Sequence, residues 1–160
     1  MLNHLEILIK QYYEWKDYLV RNNVKVGKRE KGGWECELDI VAYHPGTKHL
    51  LHIEPSLDAH TWERRELRFG KKFDAGRKFI FKEVFPWLDT STHLEQIAVL
   101  ITASRQTIAG GKVVYIDQFI KEVKDEIAKI GIMGKNAISE QYHLLRTIQM
   151  VTCGYYKLIA

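Results

Sequence analysis

The sequence predicts an α/β fold: a mixed central sheet flanked by helices, in the order helix, three strands, helix, strand, with further helices at the C-terminal end. Three observations carry this expectation. A 3-4-3-4 apolar stripe opens the chain, and two segments joined by a short Pro-Gly turn follow, the first alternating clearly. A long helical pattern then leads into the all-apolar run IAVLIT. The 160 residues show no repeat, low-complexity tract or linker, so a single domain over 1–160 is expected.

Leu5, Leu8, Tyr12, Trp15 and Leu19 line one face of a first helix over residues 2–21, with Asn22 and Asn23 as its stop. Val24 to Lys28 forms a short first strand before a turn at Gly32-Gly33. Trp34 to Tyr43 alternates: Cys36, Leu38, Ile40 and Ala42 face one way, Glu35, Glu37, Asp39, Val41 and Tyr43 the other. The turn His44-Pro45-Gly46-Thr47 returns the chain along a third strand, Lys48 to Glu54, and Pro55 disturbs the pairing beyond it.

From Asp58, a candidate N-cap, to about Phe85 the pattern is helical, with Trp62, Phe69, Phe73, Gly76, Ile80 and Val84 on one face and Pro86 as the end. Gln96 to Ser104 reads as an inner strand covered on both faces. Gly110-Gly111 makes a turn and Val113 to Tyr115 a short extra strand. One helix follows Asp117, closed by Gly131, and a last one begins at Ser139.

Several classes are excluded or set aside. No apolar run approaches the roughly 20 residues of a membrane span, so no membrane association is expected. The N-terminus reads as a helix of the fold and not as a signal peptide. Cys36 and Cys153 belong to no CxxC pair, which argues against zinc and favours reduced thiols and a cytoplasmic setting. A net charge of +4 and a pI near 9.0 are compatible with a nucleic-acid partner without requiring one.

The acids carry the chemistry. Glu37 and Asp39 share a strand face, and Glu54 has the parity of His52 and Ser56 on the neighbouring strand, about 4.8 Å away if the two pair. Carboxylates brought so close raise one another's pKa, a cost that a hard divalent cation removes. His52 is expected to be a partly buried or surface histidine and not a ligand, and Trp34, Trp62 and Trp87 to be core or rim aromatics.

In the segments ELDIVAYHP (37–45) and LLHIEPS (50–56), and in element order over residues 2–104, the chain resembles the PD-(D/E)XK nuclease superfamily, the restriction-endonuclease-like fold. That resemblance implies Asp39 and Glu54 as metal ligands, Glu37 as the additional acid, and Mg²⁺ or Mn²⁺ as cofactor. The activity it implies is hydrolysis of phosphodiester bonds in DNA. The lysine that the pattern places two residues after the second acid is Ser56 here, which offers a hydroxyl but no charge.

A substitute cation is therefore needed, or the fold is a catalytically impaired module that binds nucleic acid or protein. Lys48 is about 20 Å from Glu54 along the strand at ~3.3 Å per residue. Lys72 is about 21 Å from Asp58 along the helix at ~1.5 Å per residue, and reaches the acids only if the helix folds back over them. His60, Arg64 and Arg65 are better placed on this reasoning. Arg64, Arg65, Arg68 and Lys72 are the candidate DNA contacts on the basic helix. Residues 113–160 lie outside the resemblance and are available for support, a homodimer face or substrate contact.

Overall fold

The computed structural model describes residues 3–102 and 104–159; Leu2 and Ala103, which fall within predicted elements, lie outside that range. In chain order the elements are α1 (His4–Trp15), β1 (Leu19–Lys28), β2 (Trp34–His44), β3 (His49–Ser56) and α2 (Trp62–Phe79), which widens into a π-helical turn (Ile80–Val84). There follow β4 (Leu94–Leu100), β5 (Thr107–Ile108), β6 (Gly111–Tyr115), α3 (Ile116–Ile130), α4 (Met133–Asn136) and α5 (His143–Cys153), the last preceded by a 3₁₀ turn. The fold is α/β: one mixed sheet in the order β1-β2-β3-β4-β6-β5, flanked by helices. Strands β1, β2 and β3 are antiparallel neighbours, β3, β4 and β6 are parallel, and β5 closes the far edge antiparallel.

The first helix stops six residues short of its predicted end. Asn3 and Glu6 form a reciprocal capping box at its start. At its end Asp17 takes a left-handed φ of 66°, and the chain leaves as a ten-residue strand. Asn23, read as part of the helix stop, instead sits inside β1 at φ 51°. Gly32 and Gly33, both at positive φ, close the β1–β2 hairpin as their sequence suggests. Helix α2 starts at Trp62 behind Thr61, not at Asp58, whose carboxylate is occupied elsewhere. Tyr115, not Asp117, is the N-cap residue of α3.

The sheet is covered unequally. Helices α1, α3 and α5 bury one face around Ile9, Ile40, Leu51, Val99, Val123 and Leu145. The other face lies under α2, and there the apolar surface is divided. Phe79 and Ile80 pack with Val26, Leu38, Val41 and Leu50, whereas Phe69 and Phe73 pack with Ala98, Leu100 and Val113. Between the two clusters β3 presents His52, Glu54 and Ser56, all buried.

Strand β2 does not alternate uniformly. Leu38 packs under α2 while Ile40 packs on the opposite face, and Val41 and Tyr43 return to the α2 side. The parity therefore changes at Asp39. The β2–β3 ladder also ends there: its last pair is Ile40 with Ile53, and Asp39 would face Glu54 in the next position. Beyond that point β3 is open on its β2 side, the edge condition under which Pro55 is tolerated.

At Gly76, α2 passes close over the His52 ring. A Cβ there would overlap the His52 ring, with Cε1 at 2.6 Å, and crowd Gln96 Nε2 at 3.0 Å. Gly70 on the same helix has only Ala109 Cβ nearby, at 3.8 Å. In urea denaturation, Gly76→Ala is expected to cost about 1–3 kcal/mol through overpacking. Gly70→Ala should be neutral or stabilise by up to about 1 kcal/mol through helix propensity. Equal effects at the two positions would contradict this packing.

Candidate metal and phosphodiester site

The end of the β2–β3 ladder sets the two acids side by side. The Asp39 backbone N–H donates to Glu54 Oε1 at 3.1 Å, replacing the ladder bond that the diverging strands no longer make. The Glu54 side chain is 2% exposed, so its charge depends on protein partners. His52 Nε2 lies 2.8 Å from the same Oε1. Lys72 reaches in from α2 to Glu54 Oε2 at 2.8 Å, Asp39 Oδ1 at 2.7 Å and the Glu37 carbonyl oxygen at 2.5 Å. Its ammonium thus donates to Asp39 and the Glu37 carbonyl and forms an ion pair with Glu54.

Electrostatics separate the two carboxyl groups. Burial pushes Glu54 up, but the His52 hydrogen bond and the Lys72 charge outweigh it and hold the group down at about 2. Asp39 goes the other way. Burial, then the neighbouring Glu54 charge, push it from 3.8 to about 7 against the opposing pull of Lys72. For Lys72, burial alone would lower the pKa, and the charges of Glu54 and Asp39 reverse that and raise it. Two acids whose environments drive them apart are a recurring signature of functional sites.

Lys72 lies closer to the acids than counting along the sequence implies. That count runs along the helix from Asp58, but α2 begins at Trp62 and crosses the sheet with its middle over Asp39. The signal was present: Phe69, Lys72, Gly76 and Phe79 follow 3-4-3 spacing, so a lysine stands in the inward stripe. Two further residues were missed. Gln96 on β4 touches His52, and Gly76 admits that ring. His52 itself is fully buried.

The remaining candidates divide. At Glu37 the backbone carbonyl, not the carboxylate, is the group bonded to Lys72, which follows from the parity change at Asp39. Ser56 is buried and its hydroxyl donates to Asp58, two residues on. Arg65 is buried too. Its guanidinium donates to the Thr102 carbonyl at 2.9 Å, the Asp58 carbonyl at 2.6 Å and the Asp58 carboxylate at 3.4 Å. It clamps the β3–α2 and β4–β5 connections together, which withdraws it from phosphate contact. Arg68 also pairs with Asp58 yet remains exposed, and Arg64 is exposed. Asp58, unremarked as a site residue, organises this corner. His60 contributes its backbone N–H to Asp58 and no side-chain contact to the acids.

The chain matches no model of a known protein family, and no curated protein matches it. The site must therefore be judged on its own chemistry. No group of three or more His, Cys, Asp or Glu gathers as a ligand set among the described residues. The pair Asp39–Glu54 still fits Mg²⁺ or Mn²⁺: both donors are hard oxygens, and Mg²⁺ commonly takes one or two carboxylates with waters and phosphate oxygens. Burial and then the neighbouring Glu54 charge raise Asp39, and a cation would relieve both. Asp39 and Lys72 keep 17% and 20% side-chain exposure, so the site is open to solvent. The two cysteines are free. No helix among the described residues is long and apolar enough to cross a membrane.

The raised pKa of Asp39 has a stability consequence. Its folded value lies above the unfolded one, so the folded state binds the extra proton between about pH 4 and 7. Its contribution to stability is fully present below that window and is lost as pH rises through it. Asp39→Asn should therefore stabilise the chain at pH 8 in EDTA, on the order of 2–4 kcal/mol at ~1.4 kcal/mol per pH unit of the window, and hardly at all at pH 4. Thermal melts at the two pH values check this; no gain at pH 8 would mean that the ionised pair carries no strain.

Proposed function

We propose that this protein is a metal-dependent nuclease that hydrolyses phosphodiester bonds in DNA, with Asp39 and Glu54 holding Mg²⁺ or Mn²⁺ and Lys72 as the active-site cation. The observation that carries the reading is the position of Lys72 Nζ, within 2.8 Å of both acids although it comes from a helix. A cation beside two carboxylates is what the missing strand lysine would have supplied. The order helix, three strands, helix, strand and the acids on neighbouring strands support the same reading.

Each side chain has a definable task. Glu54, held ionised, gives a constant anionic donor. Asp39, whose carboxyl burial and the Glu54 charge push up to about 7, would serve as the second donor once ionised. The metal, when bound, polarises the phosphate and lowers the pKa of a water. Lys72 can orient that water or offset the charge that grows on the phosphate, because its ammonium rotates among acceptors without leaving the site. Arg64, Arg68 and Lys71 line the exposed side of α2 and would track the phosphate backbone.

One observation favours a second reading. Lys72 already donates to Asp39 and the Glu37 carbonyl and pairs with Glu54, so the acids and the lysine can also be a self-contained ion network. The protein would then be a catalytically impaired module that binds nucleic acid or a protein partner.

Incubation with single- and double-stranded DNA in Mg²⁺, Mn²⁺ or EDTA separates the two. Cleavage is expected with metal, lost in EDTA and in Asp39→Ala, and reduced on the order of 10²–10⁴-fold in Lys72→Met. Full cleavage by Asp39→Ala sinks the metal assignment, and full cleavage by Lys72→Met sinks that of the lysine. Inactivity of the unaltered chain with every metal favours the binding module.

A further inference from the structure

The two oxygens of Glu54 are held differently. Oε2 meets Lys72 at 2.8 Å, whereas Oε1 lies 3.1 Å from the Asp39 N–H and 2.8 Å from His52 Nε2, and the Asp39 carboxyl lies against the same carboxylate. The other ring nitrogen, His52 Nδ1, is 3.0 Å from Gln96 Nε2. Two neighbours orient the Gln96 amide. Its Nε2 is 2.9 Å from the Phe73 carbonyl oxygen, which can only accept, and its Oε1 accepts from Arg77 Nη1, which can only donate. Reversing the amide would set two acceptors and two donors against each other. Gln96 therefore donates to Nδ1, and the ring carries its proton on Nε2, aimed at Glu54.

We infer that Arg77, Gln96 and His52 form a positioning relay that saturates Glu54 Oε1 and leaves Oε2 as the oxygen open to a divalent cation. This rests on the metal-site reading of Asp39 and Glu54. The relay starts at the half-exposed Arg77, passes through the buried Gln96 and the fully buried His52, and ends at the site. Gly76 is its spatial condition, since any larger residue displaces the ring. Without the relay the Glu54 carboxylate could turn about its last bond and offer either oxygen to Lys72. With it, Lys72 and a cation compete for one defined oxygen. Outer partners of this kind hold ligands in place, and their loss typically weakens metal affinity by about 10–100-fold.

Two readouts test it on the full chain. Long-range ¹H–¹⁵N NMR of His52 near neutral pH should show the Nε2–H tautomer; an Nδ1–H tautomer or an imidazolium overturns the relay. Calorimetric titration of Mn²⁺ should then show Kd weakened about 10–100-fold in Gln96→Met. Arg77→Met, at the exposed end where folding is least at risk, should weaken it by a smaller factor. Unchanged Kd in both variants overturns the positioning role. If the unaltered chain binds no Mn²⁺, it is the metal-site reading that falls. The spectrum then decides the relay alone: Arg77→Met should mix the two His52 tautomers, and a single unchanged tautomer overturns it.

Discussion

The buried charge of Glu54 is the constraint on which the structure under α2 depends. A carboxylate with 2% exposure is tolerated only where donors surround it, since an unpaired ion there would cost several kcal/mol. The chain supplies three from three directions: the Asp39 amide from β2, the His52 ring from β3 itself, and the Lys72 ammonium from α2. Each donor brings a further demand. His52 requires a glycine at 76 and a partner at Gln96. Lys72 requires α2 to cross the sheet at Asp39. The amide of Asp39 is free to bond a side chain only because the β2–β3 ladder ends one residue earlier.

This arrangement explains why the apolar surface beneath α2 falls into two clusters. Burial of Phe69 and Phe73 on one side and Phe79 and Ile80 on the other contributes roughly 1.5–3 kcal/mol per side chain, enough to anchor the helix at both ends. The polar line of His52, Glu54 and Ser56 occupies the gap. On the opposite face of the sheet, under α1, α3 and α5, β3 gives Leu51 and Ile53 to the core, and its polar residue there, His49, stands at the strand's start, paired with Glu95 and Tyr18. A strand that is apolar on one face and hydrogen-bonded polar on the other presents chemistry to one side only.

Much of this was legible in the sequence, and the rest failed for definite reasons. The hairpin from Trp34 to Glu54 was readable because its turn is short and contains Pro and Gly. Whether the register would bring Asp39 to Glu54 stayed a condition in the sequence, and the folded strands meet it. Helix α1 was readable as a helix but not in its end, since Asp17 in the left-handed region carries no side-chain signal that distinguishes it from a helical aspartate. The parity change in β2 was invisible because both Leu38 and Ile40 are apolar and either face would accept them. Arg65 looked like a surface cation; its buried state follows from the Thr102 and Asp58 carbonyls, which only the folded loops bring together. Lys72 was ranked behind His60, Arg64 and Arg65 through a wrong origin for α2, although its place in the inward stripe favoured it.

Where the cation comes from also changes what controls the site. A lysine two residues after Glu54 would be fixed by the pleat of β3 and would follow the acids wherever the sheet went. Lys72 instead is fixed by the docking of α2, and its distance to Asp39 and Glu54 is a distance between two independently built elements. The close contacts at Gly76, four residues and about one turn along the helix, and of Phe73 with Gly111 hold the helix near the sheet there. An ångström of lift there would carry Nζ away from Glu54 and at the same time part the helix from His52, the other donor to the same carboxylate. Packing of the helix and electrostatics of the acids are thus one variable in this protein, and a substitution that loosens the first necessarily alters the second.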